Sequence, residues 1–303
     1  MPEAVECTLV LNADDIVGES IVWDDRRQVL YWVDIGGKRI HRLDPQSGEH
    51  KTWPAPEFPT SIGLREDGGA ILGMTRRVAL WDFDGDFRTL AIPEPNMPDN
   101  RLNEGRVAPD GSFWVGTMSS NLTESGEPKD QGPKSGYYYR VDGTGAVTRL
   151  CADAFGITNT MIWAQDGVFI TADTTENALY RYRVSPDRLA LSDRQAFGQP
   201  FERGLPDGSC LDSEGGIWTC RVVGGSCLTR TLMDGTVDRV VELDCSWPTS
   251  CTFGGPNLDT LFVTSARFTM TAEHLQANPQ EGAVFAVRPG VAGLREPRFR
   301  FND

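Results

Sequence analysis

Polar side chains recur at one place in a repeated pattern along this chain: Glu19, Thr60, Asn103, Asn159, Asp207 and the pair Thr249/Ser250. Four of these positions are fixed by turns spelled EDG, PDG, QDG and SEG, whose glycines are Gly68, Gly111, Gly167 and Gly215. Stepping back eight residues from each glycine reaches Thr60, Asn103, Asn159 and Asp207. Glu19 holds the matching place before SIVWDDRRQ, whose turn is longer, and Thr249 or Ser250 holds it before CTFGGPNLD. Together they offer two carboxylates, two amides and hydroxyls. Carboxylates packed side by side repel unless a cation or a proton is shared between them. An all-oxygen donor set suits a hard divalent ion such as Ca²⁺, Mg²⁺ or Mn²⁺, with waters completing its shell. Taken singly, each residue would be an ordinary strand cap. The common register of Glu19, Asn159 and Asp207 is what favours a site.

Residues some fifty positions apart converge only if the chain repeats around an axis. Short runs rich in Val, Ile, Leu, Trp and Tyr follow the turns: 28–34, 69–75, 112–118, 168–173, 217–222 and 260–266. Their starts recur every ~40–55 residues, the range of four-stranded propeller blades. A further strand of each unit is predicted at 39–45, 78–84, 136–142, 178–184, 227–235 and 282–290. Six such units predict an all-β fold, a six-bladed β-propeller in one domain over 1–303, whose circular closure removes open sheet edges. Helical periodicity is confined to 268–279. In this register GLPDGSCLDSEGGIW (204–218) turns at Gly215, so Pro206-Asp207-Gly208, despite its turn-like spelling, lies in the polar slot. Gly208 is expected to keep the backbone small beside a bound ion.

The remaining composition narrows the function. With 39% hydrophobic and 24% charged residues, the 303-residue chain can bury a sizeable core. Its formal charge of −14 disfavours nucleic acid or an anionic membrane as partner. The start, MPEAVECTLVLNADD, lacks a basic segment followed by an apolar one, and no apolar run approaches membrane-spanning length, so a cytoplasmic protein is expected. The seven cysteines form no Cys-x-x-Cys pair and read as small reduced core residues. The three histidines, His41, His50 and His274, form no zinc-protease motif, and neither a Gly-x-Ser-x-Gly elbow nor a phosphate-binding glycine loop is present. Trp23, Trp32, Trp114, Trp163 and Trp218 are expected in the core.

Five stretches resemble the SMP-30/gluconolactonase/LRE-like family, which includes regucalcin and sugar lactonases: 18–45, 101–118, 157–167, 204–220 and 248–267. They span all units but the second, which fits by its spacing. The resemblance implies a six-bladed propeller with a central pocket for one divalent metal (calcium, magnesium, manganese or zinc), held by Glu19, Asn159 and Asp207. It also implies that Arg101 and Asn103 contact the substrate. The sequence departs from the commoner family pattern at Thr160, at Glu104 and at Ser119-Ser120. The implied activity is metal-dependent opening of a sugar lactone to the sugar acid, with Asp207 as general base on the attacking water. Activation of water by the metal itself, with Asp207 as ligand only, is the alternative mechanism. Alternative functions are a phosphotriesterase or arylesterase, and a non-catalytic calcium-binding propeller.

Overall fold

A computed structural model describes residues 6–301. The chain begins with β1 (Cys7–Leu11) and then builds blade 1 from β2 (Gly18–Asp24), β3 (Val29–Asp34), β4 (Arg39–Leu43) and β5 (His50–Pro54). Blade 2 is β6 (Ser61–Leu64), β7 (Ala70–Gly73), β8 (Val78–Trp81) and β9 (Arg88–Ala91). Blade 3 is β10 (Asn100–Val107), β11 (Phe113–Ser119), β12 (Tyr138–Val141) and β13 (Val147–Arg149). Blade 4 is β14 (Thr158–Ala164), β15 (Val168–Asp173), β16 (Ala178–Val184) and β17 (Leu191–Ala196). Blade 5 is β18 (Leu205–Leu211), β19 (Ile217–Val222), β20 (Cys227–Thr231) and β21 (Val237–Glu242). Blade 6 takes β22 (Pro248–Gly254), β23 (Thr260–Ser265) and β24 (Val284–Val287) from the end of the chain and β1 from its start. The antiparallel pairing of β1 with β24 closes the ring, but contrary to expectation it does not remove open edges: the six blades are separate four-stranded sheets, and β1 is the outer edge of blade 6.

Each sheet is an antiparallel meander whose first strand is innermost. The innermost strands β2, β6, β10, β14, β18 and β22 touch their neighbours in that cyclic order, and β22 touches β2. Strands β3, β7, β11 and β19 are buried throughout, because each blade is covered on both faces by the next. Their near-continuous apolar runs follow from that double burial. Outer strands such as β5 and β9 face solvent and carry charge.

The hairpins joining first and second strands turn where the sequence predicts. Gly68, Gly111, Gly167 and Gly215 all have φ between 71° and 102°, a left-handed backbone that glycine takes without a Cβ clash. Asp212 stabilises the Gly215 turn by accepting hydrogen bonds from the backbone N–H of Glu214 (3.0 Å) and Gly216 (2.8 Å). The predicted helix is a short one, α1 (Ala272–Ala277), capped by Thr271. Trp23, Trp32, Trp114 and Trp218 are core residues, whereas Trp163 is only partly buried, edge-on to Trp114. All seven cysteines are free thiols, five of them buried. No helix among the described residues is long and apolar enough to cross a membrane.

Beyond β24 the chain runs under the ring as a strap that the repeat does not announce. Ala292 accepts from Ser213 N–H at the blade 5 hairpin, and Gly293 N–H donates to Leu258 in blade 6. The Arg298 guanidinium donates to Asp24 and Asp25 in blade 1, both at 2.7 Å. Phe299 exchanges backbone bonds with Leu64 and Glu66 in blade 2, and Arg300 N–H reaches Gly111 in blade 3. Every one of these contacts is on the hairpin end of the propeller.

Candidate active site on the propeller axis

Glu19, Asn103, Asn159 and Asp207 all sit in innermost strands, at the end opposite the strap. Five of the six innermost strands break register at this level: between Glu19 and Val22, Leu102 and Gly105, Asn159 and Ile162, Pro206 and Ser209, and Pro248 and Cys251. Such bulges re-aim side chains out of the strand's normal alternation. Only β6, which follows Thr60, pairs without a shift. The backbone is left-handed at Ser20 (φ 53°) and Thr160 (φ 58°), each directly after a predicted metal ligand. At the corresponding place in blade 5 stands Gly208. A Cβ there would meet Thr249 O at 2.8 Å and Ser250 Cα at 2.9 Å. The small residue is therefore required by the backbone of the next blade, a reason that proximity to an ion does not supply.

The polar groups form a directed chain. Arg101 Nη1 donates to Asn103 Oδ1 (2.8 Å) and to Leu102 O (2.9 Å), and Nη2 donates to Asn121 Oδ1 (2.9 Å). A guanidinium only donates, so Asn103 must present its oxygen to Arg101 and its nitrogen away. Asn103 Nδ2 then donates to Thr158 O (2.8 Å) and Asn159 Oδ1 (3.2 Å). Asn159 Nδ2 donates to Thr174 Oγ1 (2.8 Å), which donates to Pro206 O (2.8 Å). An obligate donor at one end and a carbonyl at the other fix both amide orientations. Asn159 Oδ1 keeps a second lone pair for another ligand.

Electrostatics concentrate on the same level. Glu19, Asp207 and Arg101 are 8%, 8% and 6% exposed. Burial, then the charges of Asp207 and Glu104, push the Glu19 carboxyl well above its usual range. Burial, then Glu104, push Asp207 up in the same way. Burial pulls the Arg101 guanidinium down to about 10, against the opposing pull of Glu19 and Asp207. Among the described residues, Arg101 has no carboxylate within ion-pair distance, and its Nε is buried without a partner. Its hydrogen bonds all go to neutral acceptors.

Two buried charges were not singled out as site residues by the repeat, although Glu104 stood out as a departure from the family pattern. Glu104 Oε1 lies 3.4 Å from Arg106 Nε, and Arg106 Nη1 lies 3.3 Å from Glu296 Oε1 of the strap. Arg106 Nη2 also donates to Cys251 O at 3.1 Å. Glu104 and Arg106 are two apart in a strand buried along its whole length. That spacing was the available signal, because it puts both charges on one side of a strand with no solvent to face. Beside Arg106 lies a cavity of about 280 Å³, walled by Met161, Ile162, Phe253 and Leu294. It is at the strap end and contains none of the predicted site residues.

Among the described residues, no group of three or more His, Cys, Asp and Glu side chains is arranged to hold a metal. The predicted set differs in type, pairing two carboxylates with an amide. Its chemistry fits a hard divalent cation: both carboxyls are buried and pushed toward the neutral form, Glu19 in part by Asp207 and both by Glu104, and a fixed amide oxygen lies in the same register.

Comparison with known proteins agrees with this architecture. The family model described as SMP-30/gluconolactonase/LRE-like region matches residues 17–267. A 6-deoxy-6-sulfogluconolactonase of Pseudomonas putida is 36% identical, with 99% of each chain covered. A pentonolactonase of Haloferax volcanii is 33% identical, with 97% of each covered. The solved structure of a calcium-binding protein, regucalcin, from Agrobacterium tumefaciens superposes with a TM-score of 0.88 at 26% identity, over 98% of each chain. On motif order, blade architecture and match across the chain, this protein belongs to the SMP-30/gluconolactonase/LRE-like family.

Proposed function

We propose that this protein is a metal-dependent sugar lactonase that opens an aldonolactone to its sugar acid. The observation that carries the reading is the convergence of Glu19, Asn159 and Asp207 beside Arg101 and Asn103 at one end of the axis. A divalent cation held by Glu19, Asn159 and Asp207 would polarise the lactone carbonyl and acidify water. Asp207 takes a proton from the water as its oxygen bonds the carbonyl carbon. The acyl–oxygen bond then breaks, and the ring oxygen leaves as a hydroxyl with the proton that Asp207 took from the water. Without a cation, burial and the Glu104 charge favour the neutral form of Asp207; a bound cation would favour the ionised form that a base role needs. Asn103 is fixed in orientation between Arg101 and Asn159, and the second lone pair of its Oδ1 is what it would offer a substrate hydroxyl. Arg101 is a buried cation whose partners are all neutral. It therefore suits a lactone with an anionic substituent, carboxylate or sulfonate, at least as well as a neutral one. The named activity of the Pseudomonas relative, on a sulfonated lactone, supports that choice.

The test is hydrolysis of hexono-, pentono- and acid-substituted lactones, with aryl esters and phosphotriesters as comparison substrates. Each rate is set against buffer containing the same metal, since sugar lactones open spontaneously. The wild type should turn over lactones only after metal is restored to chelator-treated protein. Asp207→Asn should lower kcat/KM by roughly 100- to 10,000-fold. Preference for aryl esters or phosphotriesters, or metal binding without any turnover, would overturn the proposal.

A further inference from the structure

We infer that Thr160 is a positioning residue that sets where Asp207 stands relative to Asn159. The inference rests on the reading above, in which those two residues hold the same cation. Thr160 is fully buried, and its φ of 58° lies in the left-handed region, where a β-branched residue is an outlier. Strain of that kind persists only where surrounding contacts over-determine it. Here the contacts cross from blade 4 to blade 5. Thr160 Oγ1 donates to the backbone carbonyl of Asp207 at 2.6 Å, and Ser209 Oγ lies 2.7 Å from the same hydroxyl.

The preceding carbonyl is held from the same blade, since Thr174 Oγ1 donates to Pro206 O at 2.8 Å. Thr174 is also the acceptor for Asn159 Nδ2. Both carbonyls flanking the Asp207 α-carbon are thus pinned by hydroxyls of the blade that carries Asn159. On its other flank, Gly208 is pressed against the β22 backbone. The contact with β22 stops the Asp207 peptide from sliding toward blade 6, and the Thr160 hydroxyl ties it at a fixed distance from blade 4. The bulge in β14 is what turns a residue next to Asn159 across the seam. A glycine at 160 would satisfy the backbone with less strain, but it would leave the Asp207 carbonyl without this donor.

The inference is tested with Thr160→Ser, Thr160→Ala and Thr160→Gly, using Asp207→Asn as benchmark. Binding of Ca²⁺ and Mn²⁺ to metal-free protein is titrated calorimetrically, and thermal unfolding is recorded for each variant. Thr160→Ser, which keeps the hydroxyl, should bind metal within about twofold of wild type. Thr160→Ala and Thr160→Gly should lose about tenfold or more in affinity, the usual penalty for removing a group that orients a ligand. Thr160→Gly should unfold no lower than Thr160→Ala, because it relieves the left-handed strain, yet bind no better. A merely structural role would make affinity follow stability. Wild-type affinity in Thr160→Ala, beside lost affinity in Asp207→Asn, overturns the role of Thr160 alone. Wild-type affinity in Asp207→Asn overturns the ligand reading on which it stands.

Discussion

Glu19 and Asp207 are acids whose folded environment favours the neutral form, through burial first and neighbouring carboxylates second. An acid with a raised folded pKa contributes stability below its unfolded pKa, about 4 for these types. That contribution is lost as pH climbs through the folded value. Metal-free protein should therefore lose stability from these two groups as pH rises, and a divalent cation should restore it. Thermal scans with and without Ca²⁺ should show a metal-induced increase in Tm that grows from pH 5.5 to pH 8. In Glu19→Gln that increase should vanish, while the metal-free form at pH 8 gains about 2 °C. A metal effect independent of pH would contradict this account. Arg101 gives a second residue-level expectation. Asn121→Asp would hand its guanidinium a carboxylate partner in place of a neutral amide. The ratio of kcat/KM for acid-substituted over neutral lactones should then fall about tenfold, the effect of one charge-assisted contact. An unchanged ratio would remove Arg101 from substrate discrimination.

At the scale of strands, the site depends on bulges that bring one residue in each of five blades out of alternation. Between them, side chains bridge neighbouring blades: Ser20 Oγ accepts from Ile62 N–H at 2.9 Å, Asn103 donates to Thr158 O, and Thr249 Oγ1 donates to Gly18 O. Gly208 is the counterpart where no side chain fits. Gly208→Ala should push β18 from β22 and destabilise the protein by about 1–3 kcal/mol, as overpacking does. Denaturant unfolding measures this, and a neutral substitution would show that the seam yields easily. The blades themselves were legible in the sequence, because turn glycines and apolar runs recur and each turn is local. The polar register was legible for the same reason, since Asn103, Asn159 and Asp207 keep a constant distance from those turns. The bulges were not, because Ser20 and Thr160 carry ordinary strand side chains and their left-handed backbone is imposed by neighbouring blades. Glu104 and Arg106 were missed as a pair because the further partners that hold Arg106 in place, Glu296 and the Cys251 carbonyl, are distant in sequence.

For the whole molecule, two segments from opposite ends of the chain complete the ring. Strand β1 closes blade 6, and the strap from Ala292 to Arg300 ties blades 5, 6, 1, 2 and 3 together on the hairpin face. Neither was readable from the repeat, since both are outside its period and act through contacts far away in sequence. Truncation after Val291 should lower Tm by several degrees and strand the Arg106 charge without Glu296. It should also open Cys210, which lines the cavity at the strap end, to a thiol reagent that leaves it untouched in the intact protein. Unchanged Tm and unchanged labelling would show that the strap is dispensable.

The same strap has a consequence for traffic. Glu104, Arg106 and Glu296 pair between the polar set and the tail, so in the proposed lactonase substrate and product would share the opposite end of the axis. On that proposal the departing acid anion competes with the next lactone, and product inhibition competitive with the lactone is the expected result.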